Sequence, residues 1–321
     1  MGKASRESIA KMTTPLVPSA LIRQLHALPD FLLSNIIGQD EVLHDICGLL
    51  RRSFCELRFP QRPIASMLYL GPTGVGKTET ALLFTEHLYG DKHKLQRLDM
   101  SEYTVEDSIK VLRGASIHER GILGMLYDRS GGSGTLLFDE IEKAHKEILD
   151  VFLQILSAGR FTLANGETLD LRNYVIVATS NIGSRMLMES KTTDRETLVT
   201  RTEQAGAQEM RVETFGRFDL RCVFNKLGYE TLKKIGQLHT DKCLGIINGK
   251  GHELSYAPGV VEYIQEKGYS EHFGARPMLN AAMRVLGDPV AEQMLLNGGR
   301  AVRGIIKHDR RSKKCSLEVL A

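Results

Sequence analysis

Residues 66–79 read SMLYLGPTGVGKTE, an apolar run that leads directly into a glycine-rich turn and then into a helical pattern. The turn fits G-x-x-x-x-G-K-[ST] in full, and a strand before it with a helix after it is the context which that motif requires. In such turns backbone N–H groups surround phosphates at a helix N-terminus, the lysine reaches the β and γ phosphates, and the hydroxyl binds magnesium. The stretch therefore predicts an α/β fold with a phosphate-binding loop for ATP and Mg²⁺.

Every position of this loop is a predicted nucleotide contact. We expect Lys77 to reach the phosphates and Thr78 to bind the metal through its hydroxyl. The nucleotide-binding residues predicted from the motif are Gly71, Pro72, Thr73, Gly74, Val75, Gly76, Lys77 and Thr78.

A second apolar run, LLFDE at 136–140, ends in two carboxylates. Ligands in parallel sheets bind at the carboxyl ends of strands, so we expect both acids to face the phosphate loop. Asp139 is the predicted Mg²⁺ ligand, directly or through a water, and Glu140 the predicted catalytic group that polarises the attacking water. A strand that ends in solvated acids is the ordinary alternative, and the phosphate loop upstream favours the catalytic interpretation.

Short apolar runs alternate with helical segments through much of the chain, which predicts a parallel sheet covered on both faces. The predicted strands are 66–70, 95–100, 135–140, 174–180 and 222–227. Beyond Gly228 the alternation stops, and helical segments at 230–247, 258–267 and 276–296 precede a strand pair. We predict an N-terminal extension and first helix at 1–34, a large ATPase domain at 35–228, and a mostly helical domain at 229–321.

Composition excludes several classes of protein. The chain has 321 residues, a formal charge of +3 and 42% hydrophobic residues, as expected for globular domains without a field that would attract nucleic acid or membranes. The five cysteines form no CxxC pair, and the first residues lack the apolar core of a signal peptide. We expect a cytoplasmic protein with reduced cysteines.

The chain resembles a Clp-type AAA+ ATPase, most closely the second ATPase module of ClpB-type disaggregases. The resemblance covers nearly everything from Pro18 onward and implies a phosphate-loop parallel sheet followed by a small, mostly helical lid domain. Besides the two motifs above, the segments that carry it are IIGQDE (36–41), LDMSEYT (98–104), GRFT (159–162), ATSNIGS (178–184) and GYSEHFGARPM (268–278).

The resemblance also implies roles for residues outside the two motifs. Ile36 and Ile37 match the apolar pair that packs on adenine. Asn181 matches sensor 1, whose amide hydrogen-bonds the γ-phosphate or the attacking water, and Arg276 matches sensor 2 in the lid. Arg217, in VETFGRFD, matches the arginine finger that reaches a neighbouring subunit.

The main departure from the family lies at 112–130, LRGASIHERGILGMLYDRS. Clp-type unfoldases carry an aromatic loop here that grips substrate in the central pore, whereas segment 114–121 is short and has no aromatic residue. Tyr127 falls on the following predicted helix. We therefore expect the tip, at 117–120, to favour a specific partner through polar groups rather than to hold any extended chain.

These observations favour an ATP-hydrolysing protein remodeller that works as a homo-oligomeric, hexameric ring on a specific protein partner. The alternative is a nucleotide-switched assembly or adaptor ATPase that threads no substrate. A DNA-acting clamp-loader type would need a helix-turn-helix or a basic groove, and neither is evident. No IGF or IGL tripeptide lies between Gly183 and Arg217, so we expect no ClpP-type peptidase partner, and we expect no first ATPase ring ahead of the module.

Overall fold

The structure is a computed structural model that describes residues 17–190, 192, 194–270, 273–309, 311–312 and 314–320. Residues 1–16 of the predicted N-terminal extension lie outside the described residues. The chain divides into two compact units. The first comprises the chain up to Gly71 together with Gly76–Phe224, and the second comprises Pro72–Val75 together with the chain from Asn225.

A parallel sheet forms the centre of the first unit. Its strands are β1 (Ala65–Leu70), β2 (Leu95–Asp99), β3 (Gly134–Asp139), β6 (Tyr174–Ser180) and β7 (Leu220–Val223), in the order β2-β3-β6-β1-β7. A small antiparallel hairpin, β4 (Arg160–Thr162) with β5 (Thr168–Asp170), stands apart. Every residue of β1, β3 and β6 is buried, as expected for strands covered on both faces. The predicted parallel sheet is confirmed, and it brings the carboxyl ends of β1, β3 and β6 to one edge.

The helices of this unit alternate with the strands. They are α1 (Ser19–Asn35), α2 (Asp40–Phe54), α3 (Lys77–Tyr89), α4 (Ser108–Arg113), α5 (Gly121–Ser130), α6 (Lys146–Ala158), α7 (Ser184–Glu189), α8 (Arg195–Glu209) and α9 (Val212–Phe215). The core beside the sheet is aromatic where Phe138 of β3 meets Phe152 of α6, edge to face at 4.4 Å between ring centroids. This packing fixes β3, which carries the two acids of the site.

One predicted strand needs correction, and the structure adds a hairpin and a helix to the predicted elements. The last strand of the sheet is Leu220–Val223 rather than 222–227, because its only partner in the sheet, β1, ends at Leu70 opposite Val223. The hairpin β4–β5 was not predicted, since strands of three residues are too short to show a periodicity. The polar stretch 192–214 contains helix α8, which buries Leu198, Thr202 and Gly206. At Gly206 a β-carbon would lie 2.4 Å from the ring of Phe215, so this close approach requires glycine.

The second unit is mostly helical. Its helices are α10 (Tyr229–Asn248), α11 (Val260–Gly268) and α12 (Met278–Leu296). Its strands are β8 (Glu253–Tyr256), β9 (Arg303–Asp309) and β10 (Lys314–Val319), in the order β10-β9-β8. The predicted strand pair is thus part of a three-stranded sheet, in which the four-residue β8 runs parallel to β9. Across the described ranges of both units, no helix combines the length and the apolar character needed to cross a membrane.

Candidate nucleotide-binding site

The loop between β1 and α3 has the backbone that its glycines permit. Gly71, Gly74 and Gly76 adopt positive φ values of 134°, 74° and 107°, a region that disfavours residues with a β-carbon. At Gly71 a β-carbon would also lie 2.4 Å from the carbonyl oxygen of Phe224. The loop ends at the N-terminus of α3, where the helix dipole favours an anion.

Lys77, the first residue of α3, is held inside the site. It is 8% exposed, and its Nζ donates to the carbonyl of Gly71 and, at 3.0 Å, to Oδ1 of Asn181. Burial lowers the pKa of Lys77 to about 8, and the negative charges of Glu142, Asp139 and Glu140 act in the opposite direction. The lysine is therefore a desolvated cation beside the loop, suited to an anionic ligand.

Asn181, at the end of β6, connects Lys77 to the second acid of β3. Its Nδ2 donates to Oε1 of Glu140 at 3.2 Å, while Lys143 Nζ lies 2.5 Å from Oε2 of Glu140. Glu140 has a left-handed backbone, with φ 56° and ψ 49°, which costs an L-residue about 1–2 kcal/mol. The strained turn after β3 thus places the carboxylate within reach of the Asn181 amide.

Asp139 is more buried than Glu140. Its side chain is 11% exposed, and its Oδ1 accepts a hydrogen bond from the Thr179 hydroxyl. Its Oδ2 lies 2.6 Å from a guanidinium nitrogen of Arg97 on β2. The backbone N–H of Glu140 donates to the same Thr179 hydroxyl at 3.1 Å, so Thr179 fixes both acids relative to β6.

Glu142 joins this cluster, although the sequence interpretation did not identify it. Its Oε1 accepts the backbone N–H of Asn181 at 3.1 Å, and its buried Oε2 has no hydrogen-bond partner within the described residues. The run EIEK at 140–143 has no periodicity that distinguishes Glu142 from Glu140.

The sequence interpretation did not identify Arg97 either. Its pattern could have indicated it, because Arg97 is the charged, exposed position of the alternating strand LQRLD.

The apolar pair before the site lies beside the loop. Ile36 is 5% exposed and Ile37 is half-buried. The Cγ2 of Ile36 lies 3.4 Å from the position that a β-carbon on Gly76 would take. This arrangement brings an apolar side chain to the loop.

The two predicted arginines belong to different units of the chain. Arg217 follows α9, is exposed, and makes no side-chain hydrogen bond or ion pair among the residues that the structure describes. Arg276 belongs to the second unit, where it is exposed two residues before α12.

A cavity of about 810 Å³ opens beside Asn181 and Glu142 but not along the phosphate loop. Its rim carries both signs of charge, from residues such as Arg185, Arg201 and Glu209. The cavity therefore adjoins the hydrogen-bonded cluster at the strand ends but does not include the phosphate loop. The groups suited to phosphate chemistry lie in that cluster.

The segment at 114–121 is a closed turn rather than an open loop. Gly114 and Gly121 both have positive φ, and a β-carbon on Gly114 would lie 2.1 Å from the carbonyl oxygen of Glu119. The Glu119 carboxylate accepts the backbone N–H of Ala115 at 3.1 Å. Arg120 pairs with Asp128 at 3.3 Å and with Glu167 at 2.6 Å.

These contacts involve two residues of the tip at 117–120, which was expected to favour a specific partner through polar groups. Glu119 and Arg120 are engaged within the chain. Ile117 is 69% exposed, and His118 is also exposed. The exposed residues of the turn are thus 115–119, and Ile117 is the large apolar side chain among them.

Two family profiles match the chain. The AAA domain (Cdc48 subfamily) matches residues 62–221, and the C-terminal, D2-small domain of ClpB protein matches residues 227–306. Both matches follow the order predicted from the sequence, an ATPase domain and then a small helical domain.

Curated relatives and solved structures agree with the profiles. Chaperone protein ClpB 1 of Thermosynechococcus vestitus is 35% identical over 304 residues, which are 90% of this chain and 34% of that protein. The ATP-dependent Clp protease ATP-binding subunit ClpC of Staphylococcus aureus is 33% identical over 312 residues, 92% of this chain and 38% of that protein. The Saccharomyces cerevisiae Hsp104-ADP complex superposes with a TM-score of 0.84 at 26% identity, covering 95% of this chain and 54% of that one. The chain thus spans about a third of the length of these curated relatives.

Proposed function

Because this chain belongs to the AAA+ family of ClpB-type chaperone ATPases, we propose that it hydrolyses ATP and uses the reaction to remodel a specific protein partner. The observation that carries the proposal is the continuous connection from Lys77 through the Asn181 amide to Glu140. The Asn181 side chain contacts both Lys77, which is suited to bind the phosphates, and Glu140, which is suited to orient the attacking water. Comparing phosphate release from ATP by the wild type and by Lys77→Ala tests it.

Each residue of the cluster has a role in this proposal. Lys77 and the loop 71–78 bind the phosphates, with Ile36 and Ile37 against the adenine. Glu140 orients the water and accepts its proton, and Asn181 holds that carboxylate in place.

The donor set of the site fits Mg²⁺. The Thr78 hydroxyl in the first turn of α3 and the buried Asp139 carboxylate at the end of β3 are hard oxygen ligands, the kind this ion prefers. When bound with the nucleotide, Mg²⁺ neutralises charge on the phosphates. Thr78 and Asp139 are the residues that would hold it.

The remaining roles require an assembly. We infer a hexameric ring in which Arg217 reaches the site of the next subunit, consistent with its exposed side chain and lack of an intrachain partner among the described residues. Residues 229–321 act as the lid domain, and Arg276 reports the state of the nucleotide to it.

The turn at 114–121 supports a selective partner over a general one. Its exposed residues are 115–119, and none of them supplies the broad flat apolar face with which an aromatic side chain contacts arbitrary sequences. The same rigid turn favours the second candidate, a nucleotide-switched adaptor that does not thread substrate. Turnover of ATP distinguishes the two, because the adaptor needs binding but no sustained hydrolysis.

Casein should stimulate the ATPase activity of the wild type by less than about twofold, because the turn lacks a sequence-tolerant contact. Phosphate release with and without casein measures this. The double variant Ile117→Ala/His118→Ala should keep the basal rate, since neither residue touches the cluster around Lys77. Strong stimulation of the wild type by casein would contradict the selectivity.

Nucleotide affinity should be constant up to about pH 8 and then fall by up to about tenfold per pH unit. Burial holds the pKa of Lys77 at about 8 in the free protein, whereas the negative charge of bound phosphates should raise it. Between these two pKa values binding takes up a proton, so affinity decreases as pH rises. Titration with a fluorescent ADP analogue from pH 7 to 9.5 measures the effect.

Lys77→Arg is the matched control, because a guanidinium does not titrate in this range and any residual binding should be independent of pH. An affinity of the wild type that stays constant to pH 9.5 would show that Lys77 is not the group that titrates.

A further inference from the structure

Both carboxylate oxygens of Asp139 already have partners in the protein. Oδ1 accepts from the Thr179 hydroxyl, and Oδ2 lies 2.6 Å from Arg97. The two partners differ in kind. Thr179 is a buried neutral group on the adjacent strand β6, whereas the Arg97 side chain is 43% exposed and carries a full charge on a flexible stem.

The position of Arg97 follows from the register of β2 and β3. Arg97 pairs with Leu137, two residues before the pair Asp99–Asp139, so its side chain extends along the strands toward their carboxyl ends. β2 is an edge strand of the sheet, and residues 95, 97 and 99 are its less buried positions. A long basic side chain there can reach Asp139 and can also withdraw to solvent.

The other carboxylates near the strand ends have different partners. Glu140 has Asn181 and Lys143, and Glu142 has the Asn181 backbone. Asp99 accepts from the backbone N–H of Ser101 at 3.0 Å and from its hydroxyl at 2.6 Å. In the described part of the chain, Arg97 is the cation that forms an ion pair with the proposed magnesium ligand.

We propose that Arg97 competes with the magnesium ion of the nucleotide for the Asp139 carboxylate. Without metal, the guanidinium neutralises the buried carboxylate, since an unpaired buried charge is costly. Binding of the metal must displace this ion pair, so Arg97 lowers the affinity of the site for Mg²⁺ with nucleotide. The inference rests on the proposed function. Within that function, Arg97 sets the Mg²⁺ concentration that nucleotide binding requires.

The positive charge of Arg97 also determines the sign of the effect on Mg²⁺ affinity. A unit positive charge within a few ångströms of a divalent cation repels it, and removing that charge at a partly exposed site should raise Mg²⁺ affinity on the order of tenfold. Loss of Arg97 should not misplace Asp139, because the Thr179 hydroxyl still holds Oδ1.

The test is a titration of free Mg²⁺ against binding of a fluorescent ADP analogue. For Arg97→Gln we expect the half-saturating Mg²⁺ concentration to fall on the order of tenfold. Arg97→Lys keeps the charge and should stay within about twofold of the wild type. Arg172→Gln removes the same charge from a pair with Asp170, outside the cluster, and should also leave the midpoint unchanged.

Binding of the analogue in EDTA separates this effect from general damage. All four proteins should bind equally well there, because Arg97 acts through the metal ligand. An Arg97→Gln midpoint that is unchanged, or that moves to higher Mg²⁺, would overturn the competition, and the second outcome would make Arg97 a support for Asp139. A wild type that binds no nucleotide with or without Mg²⁺ would overturn the proposed function itself, and this inference with it.

Discussion

Arg217→Ala should bind ATP as well as the wild type does and hydrolyse it about a thousandfold more slowly, the effect of removing an arginine that acts on a neighbour's phosphate. The expectation follows from the placement of the side chain. Arg217 is exposed, has no intrachain partner within the described residues, and lies outside the Lys77–Asn181–Glu140 cluster of its own subunit. Binding is measured with a fluorescent ATP analogue and turnover by phosphate release.

Arg211→Ala is the matched control, because Arg211 lies nearby but pairs with Asp150 within the chain. It should keep most of the activity. Mixing the two inactive variants Arg217→Ala and Glu140→Gln gives a second criterion. In a mixed ring, some sites combine the intact Glu140 of an Arg217→Ala subunit with the intact Arg217 of a neighbouring Glu140→Gln subunit. Partial activity should return, and its absence at every ratio, with mixed assembly verified, would show that Arg217 does not act between subunits.

Glu140→Gln should retain ATP and lose at least about a hundredfold in turnover, the lower range for removal of a general base. A glutamine can still accept the hydrogen bond from Asn181, so the geometry of the cluster should survive while the proton acceptor is lost. Single-turnover phosphate release measures the loss.

Glu189→Gln removes an exposed carboxylate of α7 that pairs with Arg185, and it should leave turnover near the wild-type level. Near-normal hydrolysis by Glu140→Gln would assign the base to another group. Glu142 would then be the first to examine, because its unpartnered Oε2 lies in the same cluster.

The sequence identified the features that depend on neighbours along the chain. The phosphate loop and the strand YVIVATS at 174–180 have strong local patterns, and the strand lies at those residues. The last strand was predicted at 222–227 and lies at 220–223. Its extent is set by its pairing with β1, a partner more than a hundred residues away in the sequence. Elements of three or four residues, such as β4, β5 and β8, were missed because no period fits in so few positions.

The contacts within the site required the three-dimensional structure. Asn181 was predicted beside the nucleotide, but its bridge from Lys77 to Glu140 depends on the register of three strands. The ion pair of Arg97 with Asp139 depends on the pairing of β2 with β3. At 117–120 the composition indicated a polar partner surface, and the closure at Gly114 and Gly121 instead turned Glu119 and Arg120 toward the chain.

Phosphate release from ATP by the purified protein is the most direct test of the proposal that this chain is a hydrolysing enzyme rather than a nucleotide-switched adaptor. The wild type should turn over ATP repeatedly in the presence of Mg²⁺. Lys77→Ala should show neither turnover nor ATP binding, because it lacks the buried cation that we propose binds the phosphates. A wild type that binds ATP but releases no phosphate beyond one equivalent, across concentrations at which it assembles, would contradict hydrolysis and leave the adaptor as the function of this site.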